Sequence, residues 1–131
     1  MSRRSHLVLI VDDEPAISRL LSLFLERSGY RAVVATNADQ GIELAISERP
    51  SLIVCDERMP GGNGEELLRS VKQHPLTSHI PVVMIGGSDT YGLLDWESKG
   101  AEAFIPKPFQ INEVLTVIRK ILSNNSHTPA R

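Results

Sequence analysis

Polar residues are almost absent from five short runs along the chain, and each run ends abruptly. Leu7-Val8-Leu9-Ile10-Val11 is wholly apolar, as a strand covered on both faces requires. Arg31 to Ala35 and Leu52-Ile53-Val54-Cys55 predict a second and third strand. Ile80-Pro81-Val82-Val83-Met84-Ile85 predicts a fourth, its proline at the start, where a missing donor is tolerated. Ala103-Phe104-Ile105 predicts a short fifth.

Between these runs the apolar residues change to helical spacing. Ile17, Leu20, Leu21, Phe24 and Leu25 mark a helix over Ala16 to Ser28, closed by Gly29. Thr36-Asn37 offers capping groups for a helix from Ala38 to Glu48, carrying Ile42, Leu44, Ala45 and Ile46, with Pro50 beyond it. Leu67, Leu68 and Val71 mark a third helix over Glu65 to His74, stopped by Pro75. Thr90 to Lys99 is a weak fourth, ended by Gly100. Asn112 is placed to cap a fifth, with the stripe Val114, Leu115, Val117, Ile118, Ile121 and Leu122.

Strands alternating with helices predict an α/β fold: a doubly wound, five-stranded parallel sheet with five helices on its two faces and right-handed crossovers. Such sheets bind ligands outside the carboxyl ends of their strands. The chain has 131 residues, 41% hydrophobic and 23% charged, which suits one soluble domain over residues 7–122. Residues 1–6 are expected to be a disordered N-terminus, and 123–131 a tail or truncated linker. A net charge of −2 leaves no basic footprint for direct nucleic-acid binding. Cys55 is the lone cysteine, and its place in an apolar strand argues for an inert core thiol and a reducing compartment. No apolar run approaches the roughly 18 residues needed to span a bilayer, and no secretory leader is recognisable, so a cytoplasmic domain without membrane contact is expected.

The chemistry gathers at the strand ends. Asp12 and Asp13 follow the first strand, and Asp56 ends the third. Gly86, Gly87 and Ser88 follow the fourth, and Lys107 follows the fifth between two prolines. No G-x-G-x-x-G follows a strand, and Gly61, Gly62 and Gly64 lack a P-loop lysine, which argues against dinucleotide and nucleoside triphosphate binding. If the first and third strands are neighbours, the three carboxylates converge. Two such charges about 4 Å apart repel by about 4 kcal/mol at an effective dielectric of about 20. The group must take up a proton or a cation. An all-oxygen set suits a hard ion, Mg²⁺ (or Mn²⁺). A carboxylate nucleophile, that ion and Lys107 together make a phosphoryl-transfer site.

From about Leu7 to Leu122 the chain resembles the receiver domain of two-component response regulators. The matching motifs are Asp12-Asp13, Asp56 with Met59-Pro60 and Gly64, and Lys107-Pro108-Phe109. The resemblance implies a flavodoxin-like sheet of strand order 2-1-3-4-5. It implies that Asp56 is the phosphoacceptor, with Asp13 a direct Mg²⁺ ligand, Asp12 a largely water-mediated one and the Arg58 backbone carbonyl another. Lys107 would bind a phosphoryl oxygen, its bond to Pro108 would be cis, and Phe104 would hold the place of the family's rotating aromatic. The implied donor is a histidine kinase or phosphotransfer protein. The implied output surface, for an effector or a homodimer, is the face from the fourth to the fifth helix. The chain would not be an enzyme beyond its own phosphotransfer and slow autodephosphorylation.

One family position differs. The fourth strand of most receivers ends in a Thr or Ser whose hydroxyl closes on the phosphoryl group, and here Gly86 stands there, followed by Gly87. A hydrogen bond to a charged group is worth roughly 1.5–3 kcal/mol, a bias of about 10- to 150-fold that Gly86 cannot supply. Ser88 reaches the site only if the Gly-Gly loop folds back, and Phe104 lacks the commoner Tyr hydroxyl. Metal binding and phosphorylation are expected to persist with atypical switching. The alternative is a receiver-like, constitutive protein-binding module with a disabled switch. A third reading, a Mg²⁺-dependent phosphohydrolase, needs a second Asp two residues after the nucleophile, where Arg58 stands. Arg58 is a solvated rim charge or a residue that tunes phosphoryl lifetime. Trp96 either packs under its own helix or stands exposed as a partner contact.

Overall fold

The computed structural model describes residues 6–59, 63–87 and 93–127. Its strands are β1 (Leu7–Val11), β2 (Arg31–Ala35), β3 (Leu52–Asp56), β4 (Val82–Gly86) and β5 (Ala103–Pro106). Its helices are α1 (Pro15–Arg27), α2 (Ala38–Glu48), α3 (Gly64–Gln73), α4 (Leu93–Ser98) and α5 (Ile111–His127). All strand pairs are parallel, in the order β2-β1-β3-β4-β5. β1 and β3 are thus adjacent, with Val11 opposite Cys55, so Asp12 and Asp56 emerge side by side.

The alternation of side chains across each strand divides the interior into two cores. Leu9, Val11, Ile53, Cys55, Val82 and Met84 face one way, against Ala38 and Ala45 of α2, Leu67, Leu68 and Val71 of α3, and Trp96 of α4. Val8, Ile10, Leu52, Val54, Val83 and Ile85 face the other way, against Leu21 and Leu25 of α1 and Val114, Leu115, Ile118 and Leu122 of α5. β1, β3 and β4 are buried along their whole length, which is why their sequences read as unbroken apolar runs.

Several boundaries move from their expected places. β4 begins at Val82, because Ile80 and Pro81 lead into the sheet: Ile80 N–H turns back to Thr77 O, and Pro81 O accepts from Ile53 N–H. β3 takes in Asp56, and β5 takes in Pro106. Asn112 does not cap α5, since it lies inside the first turn. The Gln110 N–H instead donates to Glu113 Oε1 at 2.8 Å, and the Glu113 N–H returns to Gln110 O. α5 also runs through Ser123 to His127, so that part of the expected tail is helical. Asn63 caps α3 by accepting from Glu66 N–H, as Asn37 caps α2 by accepting from Gln40 N–H. Trp96 is 1% exposed and belongs to the core, which removes its reading as an exposed partner contact. Ser88, Pro60 and the start of the expected fourth helix, Thr90, lie outside the described residues. Among the described residues no helix is long and apolar enough to cross a membrane.

Candidate functional site

The ends of β1, β3, β4 and β5 each deliver a side chain or a gap to the same cleft. Asp12 follows β1, its N–H extending the ladder to Ala35 O. Its Oδ1 accepts from Glu14 N–H at 2.9 Å, so it also orders the turn into α1, whose own N-cap residue, Glu14, makes no side-chain cap. Asp56 is the last residue of β3, opposite Ile85 in the register. Lys107 is tied in place by its N–H on Gly86 O at 2.9 Å, and its bond to Pro108 is cis, as expected. The cleft measures about 390 Å³ and is lined by Asp13, Glu14, Asp56, Glu57, Arg58, Gly86, Gly87 and Lys107.

The carboxylates do converge. Asp12, Asp13 and Asp56 each offer an oxygen within 4.8 Å of the other two. Lys107 Nζ stands 3.2 Å from Asp56 Oδ1 and 3.7 Å from Glu14 Oε1. Asp12 and Asp56 are buried, at 3% and 5% exposure. Loss of hydration pushes the Asp12 carboxyl up to about 6; the Glu14 N–H works against this and the Asp56 charge with it. Burial likewise raises Asp56, although Lys107 opposes the shift through its charge and its hydrogen bond. Burial disfavours the Lys107 ammonium, but Asp56, Asp12 and Glu14 outweigh it and hold that group above the ordinary lysine range. One ammonium therefore does not neutralise the cluster. A hard divalent cation fits the remaining donor set, which is all oxygen and already crowded with negative charge.

Close packing at the head of α3 holds Asp56 in place. Gly64 N–H donates to Glu57 O at 3.0 Å, and a Cβ on Gly64 would overlap the Asp56 carbonyl oxygen and approach the Met84 methyl to 2.7 Å. Only glycine lets the helix approach the strand end this closely. Phe104 is half-buried in β5, opposite Met84, and packs against the core beneath α4. Arg58 is exposed at the rim. Cys55 is fully buried, and burial pushes its thiol far up, in keeping with an inert core residue. Gly86 and Gly87 line the cleft, as expected.

Two residues of the site escape sequence reasoning. Glu14 adds a second carboxylate to Lys107, and Glu57, 8% exposed, faces the cleft beside Gly86. Glu14 had a visible signal in the run Asp12-Asp13-Glu14. Glu57 had one only in register: parallel pairing of Asp56 with Ile85 sets the next residues, Glu57 and Gly86, beside each other.

Comparison with known proteins agrees with this geometry. The profile of one protein family, described as the response regulator receiver domain, matches residues 8–119. The phosphate regulon transcriptional regulatory protein PhoB of Pseudomonas aeruginosa is 33% identical over 116 residues, covering 88% of this chain and 51% of PhoB. The chain thus spans about half the length of the curated relatives it matches. The signal receiver domain of a signal transduction histidine kinase from Syntrophus aciditrophicus superposes with a TM-score of 0.85 at 29% identity, covering 97% of each chain. The receiver domain of a sensor histidine kinase from Pseudomonas aeruginosa superposes with a TM-score of 0.80 at 21% identity, covering 91% of this chain and 98% of that one. In that structure a magnesium ion is coordinated in the active-site cleft.

Proposed function

The chain belongs to the response regulator receiver domain family, and from that premise we propose that it accepts a phosphoryl group on Asp56 from a phosphohistidine of a histidine kinase or phosphotransfer protein. In the transfer an Asp56 carboxylate oxygen forms the new P–O bond as the histidine P–N bond breaks, and the imidazole leaves with the electron pair. The observation that carries this reading is Lys107 Nζ at 3.2 Å from Asp56 Oδ1, beside the Asp12 and Asp13 carboxylates. An acyl phosphate on Asp56 adds further negative charge to a cleft that one ammonium leaves uncompensated.

Asp12, Asp13, Asp56 and the Arg58 backbone carbonyl are the groups that would hold Mg²⁺ or Mn²⁺. When bound, the ion supplies charge neutralisation for the incoming phosphoryl oxygens. Lys107, anchored through Gly86 O and flanked by prolines, meets a second phosphoryl oxygen with little rearrangement. Asp12 positions the β1–α1 turn through Glu14 N–H while contributing charge. Hydrolysis of the acyl phosphate by water resets the domain, and Arg58 at the rim governs access to it. The activity suits a cytoplasmic location. The curated relatives it matches are about twice its length, so the expectation of no nucleic-acid contact is confined to this chain.

The test is incubation with acetyl phosphate and Mg²⁺, read by intact mass. Wild type is expected to gain one phosphoryl group, and Asp56→Asn to gain none. No gain with any donor, despite measurable Mg²⁺ binding, overturns the phosphoacceptor reading in favour of a constitutive binding module.

A further inference from the structure

The Glu57 side chain and the side-chain position of Gly86 belong to the same face of the sheet, two residues beyond Cys55 and Met84, which lie in one core cluster. Glu57 N–H donates to Ile85 O at 2.8 Å, which fixes its backbone against β4. A Cβ built on Gly86 would overlap Glu57 Oε1 outright and lie 2.7 Å from Glu57 Cβ and 2.8 Å from its Cδ. The Glu57 side chain therefore stands in the volume that any side chain at 86 would need. The crowding is specific to that position, since a Cβ on Gly87 meets nothing within 4 Å.

Glu57 is nine-tenths buried, and its Oε1 has no hydrogen-bond partner among the described residues. Buried acceptors are nearly always satisfied, so an unsatisfied one in a functional cleft calls for an explanation. It shares that cleft with Asp56 and Lys107.

We propose that Glu57 is a positioning residue that has taken over the switch place on β4, so that the group on Asp56 is sensed through the segment leading from β3 to α3. The proposal rests on Asp56 as phosphoacceptor. A hydroxyl at position 86 would donate to a phosphoryl oxygen and be drawn inward. A carboxylate offers only acceptors. Facing a phosphoryl group it is repelled, and its side chain leaves the recess beside Gly86, while its backbone, held by Ile85 O and Gly64 N–H, stays in place and passes the change to the head of α3. Gly86 is then the consequence of Glu57: the recess must stay free of a side chain for the carboxyl to occupy it.

Two measurements on wild type, Glu57→Ala, Gly86→Ser and the double variant test this. The first is thermal unfolding of the metal-free, unphosphorylated proteins. Gly86→Ser alone is expected to lower Tm by about 5 °C or more through overpacking. Glu57→Ala removes the Oε1 and Cδ overlaps but keeps the Cβ 2.7 Å away, so on that background the same change is expected to cost about half as much in Tm or less. Equal penalties on both backgrounds overturn the pairing. The second is amide hydrogen exchange with beryllofluoride and Mg²⁺, a stable mimic of the phosphorylated carboxylate. Wild type is expected to change most in residues 57–59 and 63–64, and the double variant in residues 86–87 and 93–100. A wild-type response confined to 86–87 and 93–100, unaltered by Glu57→Ala, overturns the sensing role alone. No response in any variant at saturating Mg²⁺ overturns the phosphoacceptor reading and the sensing role with it, while the unfolding cycle still decides the pairing. Should Gly86→Ser fail to fold, recovery of folding in the double variant supports the pairing, and failure even with Glu57→Gly, which removes the Cβ contact as well, overturns it.

Discussion

At the scale of single residues, Asp12 sets the conflict between stability and function. Its carboxyl titrates near 6 in the folded chain against 3.8 for the free side chain, so between those values the folded state holds more protons than the unfolded one. Stability therefore falls as pH rises through that window and does not recover above it, in the absence of a cation. The shift is worth at most about 3 kcal/mol. Asp12→Asn preserves an oxygen acceptor for Glu14 N–H and removes the buried charge. It is expected to raise the stability of the metal-free protein at pH 7 by about 1–3 kcal/mol and to flatten the pH dependence of the urea midpoint. The same variant should bind Mg²⁺ more weakly, and wild-type affinity should itself fall as pH drops through about 6, measured by calorimetric titration.

Asp12, Asp13, Asp56 and Lys107 were legible because each lies within two residues of the end of an apolar run, and strand ends are where such sheets collect chemistry. Glu57 was not legible. An acidic residue after a strand reads as solvated, and only the register against Gly86 shows that it is buried.

At the scale of elements, the approach of α3 to β3 is the tightest constraint on the site. Gly64→Ala forces a methyl group against the Asp56 carbonyl oxygen and the Met84 side chain. Overpacking of this kind typically costs about 1–3 kcal/mol. The expected outcome is a lower urea midpoint with unchanged m-value, together with a slower gain of phosphoryl mass from acetyl phosphate because Asp56 is displaced. An unchanged midpoint would show that the helix slides to accommodate the methyl. Helix interiors followed apolar spacing closely, whereas their ends did not. Asn112 looked like a cap, but Glu113 reaches back to Gln110 N–H, and a helix end is decided by which local bond closes first. Likewise α5 continues beyond its apolar stripe to His127, since polar residues extend a helix already anchored by packing.

At the scale of the whole molecule, folding itself creates the cation site. Carboxylates from β1 and β3 are far apart in the unfolded chain, so a cation held between them binds the folded state selectively. Mg²⁺ at about 100 times its dissociation constant is expected to stabilise the protein by about 2.7 kcal/mol, and a chelator should reverse this. A thermal scan with and without Mg²⁺ measures it, and Asp13→Asn should abolish most of the shift. A full shift in that variant would remove Asp13 from the ligand set.

What the amino-acid order determined by itself was the alternation of buried strands and amphipathic helices, because hydrophobic burial is read locally from spacing. It also determined the acids and the lysine at the strand ends, and hence the family. The tertiary structure alone decided what depends on neighbours distant in sequence. β1 lies against β3, an order the family resemblance implied but no local pattern encodes; it brings Asp12 and Asp56 together, and burial there, with the Asp56 charge adding to it, lifts Asp12 to about 6. Gly64 seats α3 on the end of β3, and Trp96 is buried rather than presented. Glu57 fills the space beside Gly86 because parallel register, which no local pattern encodes, sets the two side by side.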